Sequence, residues 1–267
     1  MKNLLPFLLV FTVIAGYSQE PASRKKSSCS DPRTLPVLWQ QTSAEYRALC
    51  YQAFNLATLR IREIPAKEAR AGNLAIVTDL DETILDNSCG EAQDILDRRS
   101  YSSAGWKEWT KMHAATALPG AAEFLRYAHS WGITIFYITN RDTSEAAGTL
   151  ENLKQLSLPN ADDSHLLLMA GISSKEDRRQ RVMQKYRIVM LLGDNLNDFA
   201  SVFEKKPVDE RKSETDRVKD EWGGKFIVLP NSTYGEWENA LYGYRHGLRP
   251  EEKDSLRYSH LQGFRGK

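Results

Sequence analysis

The stretch Leu74-Ala75-Ile76-Val77-Thr78-Asp79-Leu80-Asp81-Glu82-Thr83 changes character within one step. Five residues of apolar and β-branched character read as a short buried strand. Two aspartates, two positions apart, follow at once, with a threonine two residues further on. A strand that is apolar along its whole length belongs to a parallel sheet covered on both faces. In such sheets, ligands bind in the crevice beyond the carboxyl ends of the strands. Taken alone, Asp-x-Asp also fits a turn or a helix cap.

Working outward, the chain alternates strand and helix. Thr42 to Arg62 places Tyr46, Leu49, Cys50, Ala53, Phe54, Ala57 and Ile61 at three- and four-residue spacing, which predicts a helix with a core-facing stripe. Thr42 or Ser43 caps its start and Pro65 marks its end. Pro119 to Trp131 reads as a helix with Gly132 at its C′ position. Ile133 to Ile138 reads as a strand, Thr143 to Leu156 as a helix and Leu166 to Met169 as a strand. Lys175 to Tyr186 is a predicted helix, Ile188 to Leu192 a strand and Lys225 to Leu229 the last strand. The alternation predicts an α/β fold, a parallel sheet with helices on both faces. Three strands then end on polar residues, Asp79, Thr139-Asn140 and Asp194, which the topology brings to one sheet edge.

Two stretches interrupt the pattern. Residues 88–118, with Tyr101, Trp106, Trp109 and His113, have room for a small cap. Residues 204–224 are a mixed charge run, read as a solvated helix or loop.

The chain has 267 residues, 36 basic and 35 acidic, for a formal charge of +1. That balance argues against a nucleic-acid polymer as partner. Hydrophobic residues make up 41%, enough for a folded body. Cys29, Cys50 and Cys89 show no paired spacing for zinc. The N-terminus reads as an address. Lys2 precedes an apolar run from Leu4 to Ala15, and small residues follow at Gly16 and Ser18. That is a signal peptide over residues 1–18, too short to span a bilayer. Export (periplasmic, secreted or outer-membrane associated) is the expectation, and two of the three cysteines have an oxidising compartment to pair in. Tyr17 and the distant Cys29 leave no lipobox cysteine, so a lipid anchor is not expected. Residues 19–41 then read as a flexible leader, 42–248 as the folded domain and 249–267 as a polar tail.

The carboxylates carry the chemistry. Like charges as close as Asp79 and Asp81 call for a cation, and oxygen ligands suit Mg²⁺. Asp194 at another strand tip completes such a shell. Asp198 either supports the metal or orients Lys175 or a loop.

The ordered set Asp79-x-Asp81-x-Thr83, Thr139-Asn140, Lys175 and Gly193-Asp194-Asn195-x-x-Asp198 resembles the haloacid dehalogenase (HAD) superfamily of phosphotransferases. Within it, the chain resembles the class C acid phosphatases, the lipoprotein e(P4)-like 5′-nucleotidases. The similar strings are Glu45 to Leu49, Asp79 to Ser88, Trp106 to Trp109, Tyr137 to Arg141, Gly193 to Leu196, Leu229 to Asn231, and Tyr234-Gly235 with Trp237-Glu238. They span about Thr42 to Gly243.

The resemblance implies a Rossmann-like core and an Mg²⁺-dependent phosphomonoesterase. Asp79 is the implied nucleophile and Asp81 the general acid and base. The same resemblance implies Thr139, the Asn140 backbone and Lys175 as phosphoryl ligands. The implied metal shell is Asp79, the Asp81 carbonyl and Asp194, with Asp198 behind it. Trp106, Tyr234 and Trp237 are the implied aromatic contacts to a nucleoside base or nicotinamide. Nucleoside monophosphates, nicotinamide mononucleotide and aryl phosphates are then the expected substrates. Another small-molecule phosphatase and a non-catalytic nucleotide-capture protein are the alternatives. Arg141 either reaches a substrate anion or lies in solvent. Trp109 and His113 are not expected in the site. Dimers are common among the proteins the chain resembles, and no residue here marks an interface.

Overall fold

The computed structural model describes residues 31–264. The signal segment 1–18, residues 19–30 of the leader, and Cys29 lie outside the described residues. Among the described residues eleven α-helices and seven strands follow in chain order: α1 Thr34–Thr42, α2 Ala44–Arg62, α3 Ala66–Ala69, β1 Leu74–Thr78, β2 Leu85–Asp86, α4 Ser88–Leu96, α5 Ser103–Lys111 and β3 Thr116–Ala117. The second half comprises α6 Ala121–Ser130, β4 Thr134–Asp142, α7 Ala146–Gln155, β5 Leu166–Met169, α8 Glu176–Met183, β6 Arg187–Gly193, α9 Val208–Arg217, β7 Phe226–Val228, α10 Glu236–Leu241 and α11 Pro250–His260.

Five strands form one parallel sheet in the order β5-β4-β1-β6-β7. Strand β1 lies at its centre, between β4 and β6, so the chain winds outward on one side and then crosses to the other. The crevice at such a reversal is where ligands bind in doubly wound sheets. Alternate residues of β1 feed opposite faces. Leu74 and Ile76 join Ile135, Tyr137, Met190 and Leu192 under α2 and α6, where the rings of Phe54 and Phe124 meet at 5.8 Å. Ala75 and Val77 join Phe136, Ile138 and Leu191 under Val182, Phe199 and Phe203. Both faces are therefore dry, as the uninterrupted apolar strand requires.

Ser43 caps α2, its hydroxyl accepting the Tyr46 N–H at 2.9 Å. Helix α6 ends at Gly132, where φ is +95° and a Cβ would press on the Ala69 carbonyl oxygen at 3.0 Å. Only glycine meets both demands. Strands β2 and β3 pair antiparallel, Leu85 with Ala117 and Asp86 with Thr116. They pinch off the segment carrying α4 and α5 as the cap.

One boundary differs from the sequence reading. The leader assigned to residues 19–41 is helical from Thr34, because α1 has long-range partners on the cap. Gln40 donates to Asp86 Oδ1 at 2.9 Å, Arg33 pairs with Glu91 at 3.3 Å, and Val37 is buried. The polar tail carries α11, where Arg257 pairs with Glu238 at 2.7 Å. Cys50 is buried and Cys89 exposed, and among the described residues they form no disulfide. No helix among the described residues is long and apolar enough to cross a membrane.

Candidate active site

The tips of β1, β4 and β6 converge as their polar ends predict. The Asp79 N–H donates to the Leu192 carbonyl at 2.9 Å, so β6 holds the first aspartate in register. Lys175, at the start of α8, is buried and bridges two carboxylates. Its Nζ donates to Asp79 Oδ1 through a short contact and to Asp198 Oδ1 at 2.6 Å. The other Asp198 oxygen accepts the Asn195 N–H at 3.0 Å. Asp198 thus contacts both Lys175 and the loop after β6. Thr83 Oγ1 donates to Asp194 Oδ1 at 3.1 Å, and Asn231 Nδ2 donates to Asp194 Oδ2 at 2.8 Å. Asp194 is fixed from two sides.

Carboxylate oxygens of Asp79, Asp194 and Asp198 lie within 4.8 Å of one another. Burial pushes the Asp79 carboxyl well up, and the Asp198, Asp194 and Asp81 charges add to it against the pull of Lys175. Burial and Asp198 push Asp194 up to about 7. Burial would lower the Lys175 ammonium, but Asp198 and Asp79 outweigh it and hold it above its usual range. One ammonium answers one of three carboxylates, and a divalent cation would answer the remaining charge. The all-oxygen donor set fits a hard cation.

Asp81 faces a different neighbourhood. Its Oδ1 accepts from Arg141 Nη2 at 2.7 Å, from Arg141 Nε at 3.0 Å and from Asn87 Nδ2 at 3.0 Å. Its Oδ2 accepts from Arg141 Nε at 3.2 Å and Thr139 Oγ1 at 3.3 Å. Arg141 is 2% exposed, so it neither lies in solvent nor stands free for a substrate anion, the two roles its position in sequence suggested. Thr139 is likewise buried. Asn140 is exposed, its Oδ1 accepting from Arg178 Nη2 at 2.6 Å. Arg178 also donates to the Thr139 carbonyl at 2.6 Å, bracing the end of β4 from beneath.

The aromatic residues separate into two groups. The ring of Trp106 lies 5.7 Å from the Arg141 guanidinium, on the Asp81 side. Tyr234 and Trp237 instead line a cavity of about 340 Å³ together with Asp194, Asn195 and Arg211. The Tyr234 hydroxyl is turned inward and donates to Glu82 Oε2. Trp237 is 45% exposed at the cavity rim, its indole N–H on the Tyr234 carbonyl at 3.2 Å.

Several supporting residues escaped sequence reading. Glu82 is buried with φ +55°, a left-handed conformation uncommon for non-glycine residues. Burial and Asp81 push its carboxyl up to about 8. It accepts the Asn87 N–H at 2.9 Å. Asn87 in turn accepts the indole N–H of Trp109 at 2.8 Å. Trp109 packs against the core, as expected of it, and its indole N–H also braces Asn87. Glu82, Asn87, Arg141 and Asn231 all sit inside the quoted strings, so their signal was proximity to the motifs. Arg211, in the charge run read as solvated, is buried and donates to the Phe203 carbonyl at 2.6 Å.

Residues 18–237 match the family model of the HAD superfamily, subfamily IIIB (acid phosphatase). The chain belongs to that family. It is similar to the class C acid phosphatase from Bacillus anthracis, at 40% identity over 88% of this chain and 98% of that one, with a TM-score of 0.83. A second structure of the class C acid phosphatase from that organism, with tungstate bound, matches at 39% identity over 88% and 99% of the two chains, with a TM-score of 0.84. The fold is thus that of an acid phosphatase, and the enzyme a phosphoric monoester hydrolase of the HAD superfamily. A phosphorylated small molecule is the substrate such an enzyme takes, and a divalent metal is what HAD phosphatases use.

Proposed function

We propose that this chain is an exported, Mg²⁺-dependent acid phosphatase and 5′-nucleotidase. It would hydrolyse nucleoside monophosphates, nicotinamide mononucleotide and aryl phosphates through an aspartyl-phosphate. The observation that carries this reading is the buried Asp79–Lys175–Asp198 chain beside Asp194, which itself lines a cavity walled by Tyr234 and Trp237. Tungstate, bound in one similar structure, is an oxyanion of phosphate-like shape, which supports a phosphoryl site here.

In this reading the substrate phosphorus sits over Asp79. An Asp79 carboxylate oxygen bonds to phosphorus as the ester P–O bond breaks, and the leaving oxygen takes the electron pair and a proton from Asp81. Water then attacks phosphorus, gives a proton to Asp81 and frees inorganic phosphate from Asp79. Lys175 holds Asp79 in place and answers charge on the phosphoryl oxygens, with Thr139 and Asn140 at the end of β4. Mg²⁺ would be held by Asp79, the Asp81 carbonyl and Asp194, with Asp198 fixing Lys175; it supplies charge neutralisation at the phosphoryl group. Tyr234 and Trp237 offer apolar ring faces to the leaving nucleoside, and stacking of this kind accepts different bases at about 1–3 kcal/mol each. Trp106 approaches from the cap. Export rests on the basic start and apolar run of residues 1–18.

The test is phosphate release from a panel of nucleoside 5′-monophosphates, nicotinamide mononucleotide, an aryl phosphate and glucose 6-phosphate. Each is assayed with Mg²⁺, with EDTA, and with Asp79→Asn. Release that needs metal, is fastest from the aromatic esters and disappears in Asp79→Asn is expected. Equal release from glucose 6-phosphate would overturn the nucleotidase reading, and release undiminished by EDTA would overturn the metal.

A further inference from the structure

The grip on Asp81 is out of proportion to what a turn needs. Three residues meet on one carboxyl: Asn87 at the cap base, and Thr139 and Arg141 in the last part of β4. The guanidinium is itself built in. Its Nη1 donates to Thr149 Oγ1 of α7 at 3.2 Å, and the Trp106 ring covers its face. A buried ion pair is a poor source of stability, because desolvation cancels much of the attraction. What the planar fork supplies is direction, since two parallel donors on one carboxyl allow it a single orientation.

We propose that Arg141 is a positioning residue for bond cleavage: it sets the direction in which the Asp81 carboxyl meets the leaving-group oxygen. The proposal rests on the reading of Asp81 as the general acid. Its consequence is selective. In the first step the phosphorus–oxygen bond breaks, Asp79 gains the phosphoryl group, and the departing oxygen receives its proton from Asp81. An alkoxide leaves slowly unless that proton arrives on time. A dinitrophenolate leaves without it. Misdirecting Asp81 therefore costs most where the leaving group is most basic. Trp106 acquires a share of the same role, as the lid over the guanidinium.

The experiment measures kcat/KM, which reports steps up to departure of the leaving group. Substrates are a nucleoside 5′-monophosphate, phenyl phosphate, 4-nitrophenyl phosphate and 2,4-dinitrophenyl phosphate. Enzymes are wild type, Arg141→Lys, Asp81→Asn and the double variant. Arg141→Lys keeps the charge and loses the fork. Its expected loss is on the order of 10²-fold on the nucleotide, shrinking along the series to under about tenfold on the dinitrophenyl ester. In the Asp81→Asn background the same change should cost less than about twofold, because its partner is gone. Equal losses on all four substrates, or full additivity in the double variant, would overturn the positioning role while leaving Asp81 as acid. If Asp81→Asn itself shows no dependence on leaving group, the acid assignment fails and the proposal with it. Thr149→Val, which removes only the hydroxyl orienting the guanidinium, should show a shallower trend in the same direction. It decides the matter if Arg141→Lys does not fold, and a flat response from it would then count against the proposal.

Discussion

At Gly193 the last residue of β6 passes directly against the Asp198 side chain. A Cβ built there would lie inside the van der Waals surface of the Asp198 Cβ and carboxylate. Glycine is required not for an unusual φ but for room, and the room is occupied by the carboxylate that holds Lys175. Gly193→Ala should therefore move Asp198, destabilise the fold by about 1–3 kcal/mol through overpacking, and depress kcat more than KM. Urea unfolding with parallel kinetics checks this, and a variant with wild-type midpoint and kcat would show the contact to be slack. The same scale shows what the sequence left open. Asp198 had two readings, and the structure shows contacts that serve both: 2.6 Å to Lys175 and 3.0 Å to the Asn195 N–H, and a place in the cluster with Asp79 and Asp194.

Among the elements, strands and their polar tips were legible because their cause is local. A run such as Ile188 to Leu192 is apolar at every position, and burial on both faces is the arrangement that explains it. Helix α2 was legible from its stripe, and its observed start at Ala44 follows the Ser43 cap. Helix α1 was not, because Arg33 and Gln40 find their partners 58 and 46 residues away on the cap. Trp109 packs against the core as read, but its hydrogen-bond partner was hidden for the same reason. Its indole N–H belongs to Asn87, 22 residues back, and its ring packs so tightly that a Cβ on Gly90 of α4 would meet it at 2.9 Å. Trp109→Phe keeps most of that packing and removes the N–H, leaving the Asn87 carbonyl with only a long contact to Arg141 at 3.5 Å. A loss of about 1–3 kcal/mol in stability is expected, read from the urea midpoint. An unchanged midpoint would mean that the cap does not depend on this bond.

In the whole molecule, one central strand places two aspartates with separate surroundings within three residues. Asp79 faces Lys175 and the acidic cluster, whereas Asp81 faces Arg141 and the cap base. The nucleophile-and-acid division of labour proposed for them requires such a separation, and alternating strand geometry provides it as β1 gives way to its loop. The measurement that tests this division most directly uses the full chain carrying Asp81→Asn with 2,4-dinitrophenyl phosphate and Mg²⁺. That ester needs no acid to transfer its phosphoryl group, while the following attack by water lacks its base. The account predicts a burst of dinitrophenol near one equivalent per enzyme, and a phosphoryl group on the peptide containing Asp79 after acid quench and mass mapping. Steady release without a burst, or a phosphoryl group on any other residue, would contradict it.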